Sequence, residues 1–464
     1  PATKPTARYG HAIAYDSARG KVVLFGGNTV GSGRNDETWE WDGVNWTQQN
    51  PATKPSARSW HAMAYDSARG KVVLFGGYTD SYNDETWEWD GENWTQHNPA
   101  TLKPSVRQNH AMAYDSVRGK VVLFGGSSGG SETWEWDGAN WTQMDPATKP
   151  SVRQNHAMAF DSTRGKVVLF GGSTANYTYN DEIWEWDGTN WTQMDPATKP
   201  TARYGHAIAY DSARGKVVLF GGNTVGSGRN DETWEWDGVN WTQQNPATKP
   251  TARYGHAIAY DSARGRVVMF GGDVAGSGRN DTWEWDGTNW TQMDPTTKPS
   301  ACSWHAMAYD SARGKVVLFG GSDGGSFNNE TWEWDGGGND RAGQIMNVSW
   351  ENSDITDDTS IQSFSVSFNA GGLGDITGTP TNGVDLLTWK HDRWVTVASN
   401  EAGPDALEPV TWTTTDPIEI QTLLNSGLRK FNFAVVPTAP NGFLTDMGSI
   451  ATDYAEVIVR YRIE

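Results

Sequence analysis

Short apolar runs recur at fixed places along the first part of the chain. Residues 11–16 alternate small and larger apolar side chains, and residues 21–25 are continuously apolar, as in a strand buried on both faces. Residues 38–42 alternate tryptophan with polar residues, and residues 45–48 form a fourth short run after an Asp-Gly turn. The region shows no helical periodicity. The pattern therefore predicts a unit of four antiparallel strands joined by tight turns.

This unit occurs seven times, and residues 1–50 are identical to residues 196–245. One such unit has two apolar faces that it cannot bury alone. Stacking the copies around an axis buries those faces, and closing the ring protects the last strand edges. Repeats near 50 residues are typical of such architectures. The copies begin at residues 1, 51, 99, 146, 196, 246 and 295.

The order of residues within each copy resembles the kelch repeat. That order is Arg, His, an apolar strand ending in Phe-Gly-Gly, a loop of variable sequence, an aromatic strand, an Asp-Gly turn and Trp. The resemblance implies an all-β protein in which residues 1–340 form a seven-bladed β-propeller. It also implies that the strand at 11–16 is innermost in its blade and that the strand at 45–48 is outermost.

The seventh copy lacks the Asn-Trp-Thr-Gln ending that closes the other six. Three ways of completing that blade stay open. A strand upstream of residue 1 can fill the place, residues 344–350 can fill it, or a neighbouring molecule can donate a strand and build a fibre. An open strand edge otherwise invites pairing with another chain. Of the three, residues 344–350 are the favoured candidate.

The repeat pattern stops near residue 341, and residues 341–464 are expected to form a second domain. Alternating runs there predict an antiparallel β-sandwich that resembles the jelly-roll modules of secreted bacterial proteins. Residues 418–427 are predicted as one short helix. The loop at 371–383 is rich in Gly, Asp and Thr, so it is interpreted either as plain turns or as oxygen ligands for Ca²⁺. The predicted strands cover residues 360–368, 384–390, 393–399, 409–415, 430–436 and 453–463.

Composition excludes several functions. The net charge is −19, which disfavours nucleic-acid binding and binding to anionic membranes. The one cysteine allows no intrachain disulfide and no Cys-based zinc or iron–sulfur site. No apolar run is long enough to span a membrane. No cofactor is expected in the propeller.

The candidate ligand-binding residues lie where each copy enters its first strand. The kelch resemblance implies that the repeated arginine lies at a mouth of the central channel, where it contacts a ligand in some members. Alternatively, each arginine pairs with an acidic residue of its own copy, namely Glu40 or its equivalents. The residues next to each arginine vary, which favours selectivity at this rim. The proposed rim consists of Arg8, Tyr9, Arg58, Trp60, Arg107, Gln108, Arg153, Gln154, Arg203, Tyr204, Arg253, Tyr254 and Trp304.

Two further features suggest metal chemistry, with simpler alternatives. A histidine recurs in every copy, and seven symmetric imidazoles favour a structural hydrogen-bonding role over a metal site. Cys302 replaces the repeated arginine in copy seven. Kelch propellers that resemble galactose oxidase link such a cysteine to a tyrosine and bind copper, which would involve Tyr9 and His391 here. Drift of one arginine codon is the simpler explanation of Cys302.

The expected function is that of a non-enzymatic extracellular or cell-surface protein. Its propeller loops would bind a protein or glycan ligand, and the second domain would attach the protein or recognise a partner. Near-identical copies suit a scaffold better than a single asymmetric active site. Two alternatives are a self-assembling subunit of a fibre or surface layer, and a copper radical oxidase of the galactose-oxidase type.

Overall fold

The computed structural model describes residues 3–31, 33–99, 102–226 and 228–336, together with the backbone of seven strands between residues 346 and 457. The chain divides into two compact units, Pro1–Gly337 and Gly338–Glu464. No helix in these described parts is long and apolar enough to cross a membrane.

The first unit confirms the predicted all-β propeller, because each of its seven copies forms one antiparallel sheet in the predicted strand order. The innermost strands are Ala12–Asp16, Ala62–Asp66, Ala111–Asp115, Ala157–Asp161, Ala207–Asp211, Ala257–Asp261 and Ala306–Asp310. The second strands are Lys21–Phe25, Lys71–Phe75, Lys120–Phe124, Lys166–Phe170, Lys216–Phe220, Arg266–Phe270 and Lys315–Phe319.

The outer strands carry the repeated tryptophans. The third strands are Thr38–Trp41, Thr86–Trp89, Thr133–Trp136, Ile183–Trp186, Thr233–Trp236, Thr282–Trp285 and Thr331–Trp334. The fourth strands are Trp46–Gln49, Trp94–His97, Trp141–Met144, Trp191–Met194, Trp241–Gln244 and Trp290–Met293.

The core lies between neighbouring blades. Val23 and Phe25 of the first blade are fully buried, and they pack against Trp87, Trp89 and Trp94 of the second. The continuous apolar run at residues 21–25 predicted a strand buried on both faces. In the structure this strand lies between two hydrophobic clusters, one at each interface with a neighbouring blade. The tryptophans are therefore mostly core residues, as expected from their fixed positions.

The ring closes between the seventh and first blades. The inner strands Ala12–Asp16 and Ala306–Asp310 contact each other as the other neighbouring inner strands do. Trp41 donates its indole N–H to Glu333 (2.7 Å). The same bond runs from Trp89 to Glu40 (2.8 Å) between the first two blades. The seventh interface is thus built like the others.

Within the described residues the seventh blade has three strands and ends at Thr331–Trp334. Met346–Glu351, which includes most of the segment favoured from the sequence as the fourth strand, pairs with Ser363–Ala370 and is the edge strand of a sheet in the second unit. How the seventh blade is completed stays a prediction.

The second unit contains two antiparallel sheets. Whether they pack as a sandwich stays a prediction. The predicted helix at 418–427, the loop at 371–383 and His391 lie outside the described residues. One sheet has the order Met346–Glu351, Ser363–Ala370, Glu408–Thr414, and the other Arg393–Asn400, Val384–Lys390, Phe431–Pro437, Tyr454–Val457.

The second glycine of each Gly-Gly pair is required by backbone geometry. In the fifth blade Gly222 has φ +96°, and an added Cβ would lie 2.8 Å from the Cβ of His206. Gly222→Ala is expected to cost more than about 2 kcal/mol of unfolding free energy, because strain and overlap add. Gly215→Ala is the control, since Gly215 has φ +64° but open space around it, and about 1 kcal/mol is expected. Urea unfolding of both variants measures the difference, and equal costs would contradict the overlap argument.

Candidate binding rim

The residue after each repeated arginine, or after Cys302 in the seventh blade, pairs with the first residue after the Gly-Gly of the same blade. The entry to the inner strand and the variable loop therefore lie side by side at one end of the propeller. The seven pairs are Tyr9–Asn28, Ser59–Tyr78, Gln108–Ser127, Gln154–Ser173, Tyr204–Asn223, Tyr254–Asp273 and Ser303–Ser322. We call this end the rim.

The next residue in each blade has a left-handed backbone, with φ between 54° and 65°. These residues also join neighbouring blades through backbone hydrogen bonds. For example, the N–H of Trp60 donates to the carbonyl of Gly10 (2.9 Å), and that of Trp304 donates to Gly255 (2.9 Å). Six such bonds run around the rim. The left-handed residues are Gly10, Trp60, Asn109, Asn155, Gly205, Gly255 and Trp304.

Aromatic side chains form a continuous arc along part of the rim. Ring centroids lie 6.3 Å apart for Tyr204–Tyr254, 5.7 Å for Tyr254–Trp304, 5.8 Å for Trp304–Trp60 and 5.6 Å for Trp60–Tyr9. The rings meet edge to face, which is a favourable geometry for aromatic pairs. All five side chains are half-buried, so each keeps an accessible surface. We call these five residues, which span the fifth, sixth, seventh, first and second blades, the aromatic arc.

Two loop residues extend the aromatic arc, whose five members were among the rim residues predicted from the sequence. Phe327 lies 4.7 Å from Tyr9, and Tyr179 lies 4.9 Å from Tyr204, measured between ring centroids. The sequence indicated the variable loops but not these two residues. The signal was their position, six and seven residues beyond a Gly-Gly pair, where the loop returns to pair with its own first residue at the rim.

The rest of the rim is polar. The third and fourth blades place Gln108, Asn109, Gln154 and Asn155 there, all half-buried. At the boundary with the aromatic arc lies an open cavity of about 430 Å³. Its lining combines ring faces, amides and one guanidinium, from Asn28, Arg34, Ser59, Trp60, Tyr78, Tyr82 and Gln108.

The repeated arginines are buried and paired with carboxylates, which favours the structural alternative over ligand contact. Each is at most 1% exposed. Arg8 donates to Glu37 (2.5 Å) and to the carbonyl of Gly26 (2.9 Å), so it fixes the turn that starts the variable loop. Burial would raise the pKa of Glu37, but its hydrogen bonds from Arg8 and Trp39 outweigh burial and lower it. The pair is therefore ionised at neutral pH.

The arginine partner predicted from the sequence was also wrong. Glu40 is held by Arg19 (2.7 Å) from the turn at the far end of the first two strands and by Trp89 of the next blade. The acidic residues that pair with the rim arginines come just before the third strand. They are Glu37, Glu85, Glu132, Glu182, Glu232 and Asp281.

The seven repeated histidines are buried immediately below the rim. Burial is the largest cause that lowers the pKa of each imidazole, and it brings that of His61 to about 3 and that of His305 to about 4. His61 packs edge-on against Phe25 of the preceding blade, with ring centroids 5.6 Å apart. Six of the seven make no hydrogen bond of normal geometry to a described residue. A backbone hydrogen bond at the phenylalanine of the preceding blade, Phe25 in the case of His61, opposes burial and raises the imidazole pKa. The predicted structural role of the histidines thus combines this bond with packing.

Cys302 occupies the arginine position of the seventh blade and is fully buried beside Phe270 and Leu318. Burial raises the pKa of its thiol to about 12, and its Sγ lies 3.6 Å from Nδ1 of His305. Glu330, which has lost its arginine, accepts hydrogen bonds from the N–H and hydroxyl of Ser300 instead. Among the described residues no group of three or more His, Cys, Asp or Glu side chains is placed to hold a metal ion.

Comparison with known protein families agrees with this geometry. Residues 1–129 match the KLHDC2/KLHL20/DRC7 Kelch-repeats domain. Residues 1–129 are thus similar to kelch repeats. Residues 196–245 repeat residues 1–50 without a change, so the same motif continues beyond the matched range. Kelch repeats typically form protein-binding scaffolds, which fits the loops and rim described above. No curated protein matches the chain.

Proposed function

We propose that this kelch propeller is a non-enzymatic binding protein whose rim holds a protein ligand. The observation that carries the proposal is the aromatic arc. Trp60 and Trp304 hold left-handed backbone conformations that cost an ordinary residue about 1 kcal/mol each. Glycine occupies the same position in three blades without that cost. Strain that is retained at an accessible aromatic pair supports a functional role for the two side chains.

The chemistry of the arc fits a ligand with apolar groups flanked by hydrogen-bonding groups. Tyrosine and tryptophan supply large contact areas at low cost in conformational entropy, and they dominate the affinity of many interfaces. The neighbouring amides of Gln108 and Gln154 can donate and accept hydrogen bonds. With a net charge of −19, the protein favours a ligand that is neutral or basic.

A glycan is the second candidate ligand, because accessible tryptophan and tyrosine rings also suit the apolar faces of sugars. An extracellular or cell-surface location is part of the same proposal. It rests on the resemblance of the second unit to modules of secreted proteins.

The test replaces the strained tryptophans with the residue that other blades carry at that position. Wild-type protein is first screened against peptide and glycan arrays. Trp60→Gly and Trp304→Gly are then expected to weaken binding of the selected ligand at least about tenfold. Their melting temperatures should stay close to that of the wild type. Glycine relieves the strain of the left-handed backbone, and this gain offsets the loss of the ring contacts.

Asn155→Gly is the matched control. It makes the same backbone change in the polar part of the rim, and it should leave the affinity of an arc-bound ligand within about twofold. Wild-type affinity in both tryptophan variants would contradict the proposal. Binding of glycans but no peptides by the wild-type protein, lost in the two tryptophan variants, would identify the second candidate instead.

A further inference from the structure

The aromatic arc presents two indole N–H groups that have no partner among the described residues. The tryptophans of the blade interfaces donate theirs inside the fold, as Trp94 does to the hydroxyl of Thr38 (2.7 Å). The indole nitrogens of Trp60 and Trp304 donate to no described residue, and both keep accessible surface. They are therefore hydrogen-bond donors that a ligand can use.

Both indole rings are held in place before a ligand arrives. Trp60 lies over Gly10 of the preceding blade, and a Cβ added to that glycine would lie 3.1 Å from Cε2 of the ring. Trp304 lies over Gly255 in the same way, with a distance of 3.0 Å. The two rings also meet edge to face, with centroids 5.8 Å apart. Binding therefore costs little side-chain freedom, which favours affinity.

The main chain beneath the arc is occupied by its own hydrogen bonds. Trp60 donates its backbone N–H to the carbonyl of Gly10 (2.9 Å), and its own carbonyl accepts from the N–H of Asn109 (3.2 Å). The preceding residue, Ser59, exchanges two backbone bonds with Tyr78 (3.1 and 2.8 Å). A peptide that binds as an added strand needs free main-chain groups on its receptor, so this mode of binding is disfavoured here.

The free indole donors distinguish among the remaining peptide conformations. The carbonyls of an α-helix bond within the helix, except in its last turn, so a helical ligand offers these donors few acceptors. A polyproline II segment has no internal hydrogen bonds, and its carbonyls are all exposed. Proline has no N–H, so such a segment needs donors but no acceptors from its receptor. Pro-rich segments dock on aromatic-lined surfaces, and their preformed conformation lowers the entropic cost of binding.

We propose that the aromatic arc binds proline-rich segments in the polyproline II conformation. The inference rests on the proposed function and names the ligand class for the same surface. Proline rings would pack on Trp60 and Trp304, and the two indole N–H groups would donate to carbonyls of the ligand. Two residues of such a helix span about 6.2 Å, close to the 5.8 Å between the two ring centroids. The net charge of −19 favours basic residues beside the prolines.

The test is a fluorescence-polarisation titration of the full chain with a labelled octaproline peptide that carries a lysine at each end. Saturable binding with one site per chain is expected. A second peptide, in which alternate prolines are replaced by glycine, keeps the length and charge but loses the stiff conformation. It should bind at least about tenfold more weakly, because ring contacts are lost and the peptide must be ordered on binding.

Trp60→Phe and Trp304→Phe keep an aromatic ring but remove the indole donor. Each variant should keep its melting temperature, yet bind the octaproline peptide about three- to tenfold more weakly. Tyr177→Phe is the matched control, because Tyr177 is an exposed ring outside the arc with the same left-handed backbone (φ 58°). It also loses one donor, and the affinity should stay within about twofold of the wild type.

Nuclear magnetic resonance of protein with isotope labels in its tryptophan indole groups locates the bound peptide. The signals of Trp60 and Trp304, assigned by their loss in the phenylalanine variants, should shift as the octaproline peptide is added. Saturation without these shifts, equal binding of the glycine-containing peptide, or unchanged affinity in both phenylalanine variants would each overturn the proposal.

The same measurements separate the ligand class from the proposed function. Absence of octaproline binding at millimolar concentration, together with arc-dependent binding of another peptide or of a glycan from the arrays, would overturn the ligand class alone. Absence of any ligand that depends on the arc would overturn both.

Discussion

Acidification from pH 7.5 to pH 5.5 will strongly destabilise the propeller, well before its carboxylates protonate. The cause is the ring of seven buried histidines. The pKa of an unfolded histidine is about 6.5, whereas burial holds the pKa values of His61, His156 and His206 at about 3 and that of His305 at about 4 in the folded state. The pKa values of the other three are also lowered, by burial first and by the nearby arginine second.

Proton linkage determines whether stability rises or falls with pH. Between the folded and unfolded pKa values the unfolded chain binds more protons, so stability rises with pH and falls as the pH drops below about 6.5. Each histidine contributes about 1.4 kcal/mol per pH unit inside that window. Seven of them give up to about 10 kcal/mol per pH unit, comparable with the whole stability of a typical domain.

Urea unfolding followed by tryptophan fluorescence at pH 7.5, 6.5 and 5.5 measures this effect. The midpoint should fall steeply between the last two values. The pKa values of Glu37 and Glu85 are lowered below their usual range, so those carboxylates become protonated only in more acidic solution. His97→Gln is the control, because His97 lies outside the ring and the acid slope should persist without it. Equal midpoints at pH 7.5 and pH 5.5 would contradict the prediction.

The strands could be predicted from the sequence because each of them repeats with one fixed pattern. The run at 21–25 is buried between two interfaces in every blade, and its apolar residues show this directly. The second unit was harder to predict, since no repeat constrains it. Residues 346–350 alternate as a fourth blade strand would, and this alternation does not indicate their pairing with Ser363–Ala370.

The rim was predicted in part, and its arginine partners were not. Glu37 and Glu40 are three residues apart, and both recur in the copies, so the sequence alone does not separate them. The structure separates them by place, because Arg8 crosses the Gly26 turn at the rim while Arg19 reaches Glu40 from the opposite end.

A signal for the strained rim backbone was present in the sequence. One position carries Gly in three copies, Asn in two and Trp in two. Glycine and asparagine both tolerate the left-handed conformation. Their occurrence at one position in different copies therefore indicates that the backbone is left-handed there. Only the structure shows that Trp60 and Trp304 keep that conformation and that their rings meet.

Removing one rim arginine will cost about 2–3 kcal/mol, because a half-buried carboxylate and a buried carbonyl then lose the donor that pairs with them. Arg203 is fully buried and pairs with Glu232 (2.5 Å). It also donates to the carbonyl of Gly221 (2.9 Å) and to the side chain of Asn230 (3.2 Å). Arg203→Met keeps much of the side-chain volume but leaves all three acceptors without this donor. Chemical unfolding gives the loss of stability.

Two further variants separate this explanation from a general effect of charge removal. Lys199→Met breaks an exposed pair with Asp181 (3.2 Å), and it should change stability by less than about 0.5 kcal/mol. Adding Glu232→Gln to Arg203→Met should recover part of the loss, since the unpaired, half-buried charge is then removed. In the seventh blade, where Cys302 replaces the arginine, Ser300 donates to Glu330. In the fifth blade the hydroxyl of Thr201, at the equivalent position, instead accepts from Arg203. A cost below about 1 kcal/mol for Arg203→Met would show that the buried pair does not hold the rim together.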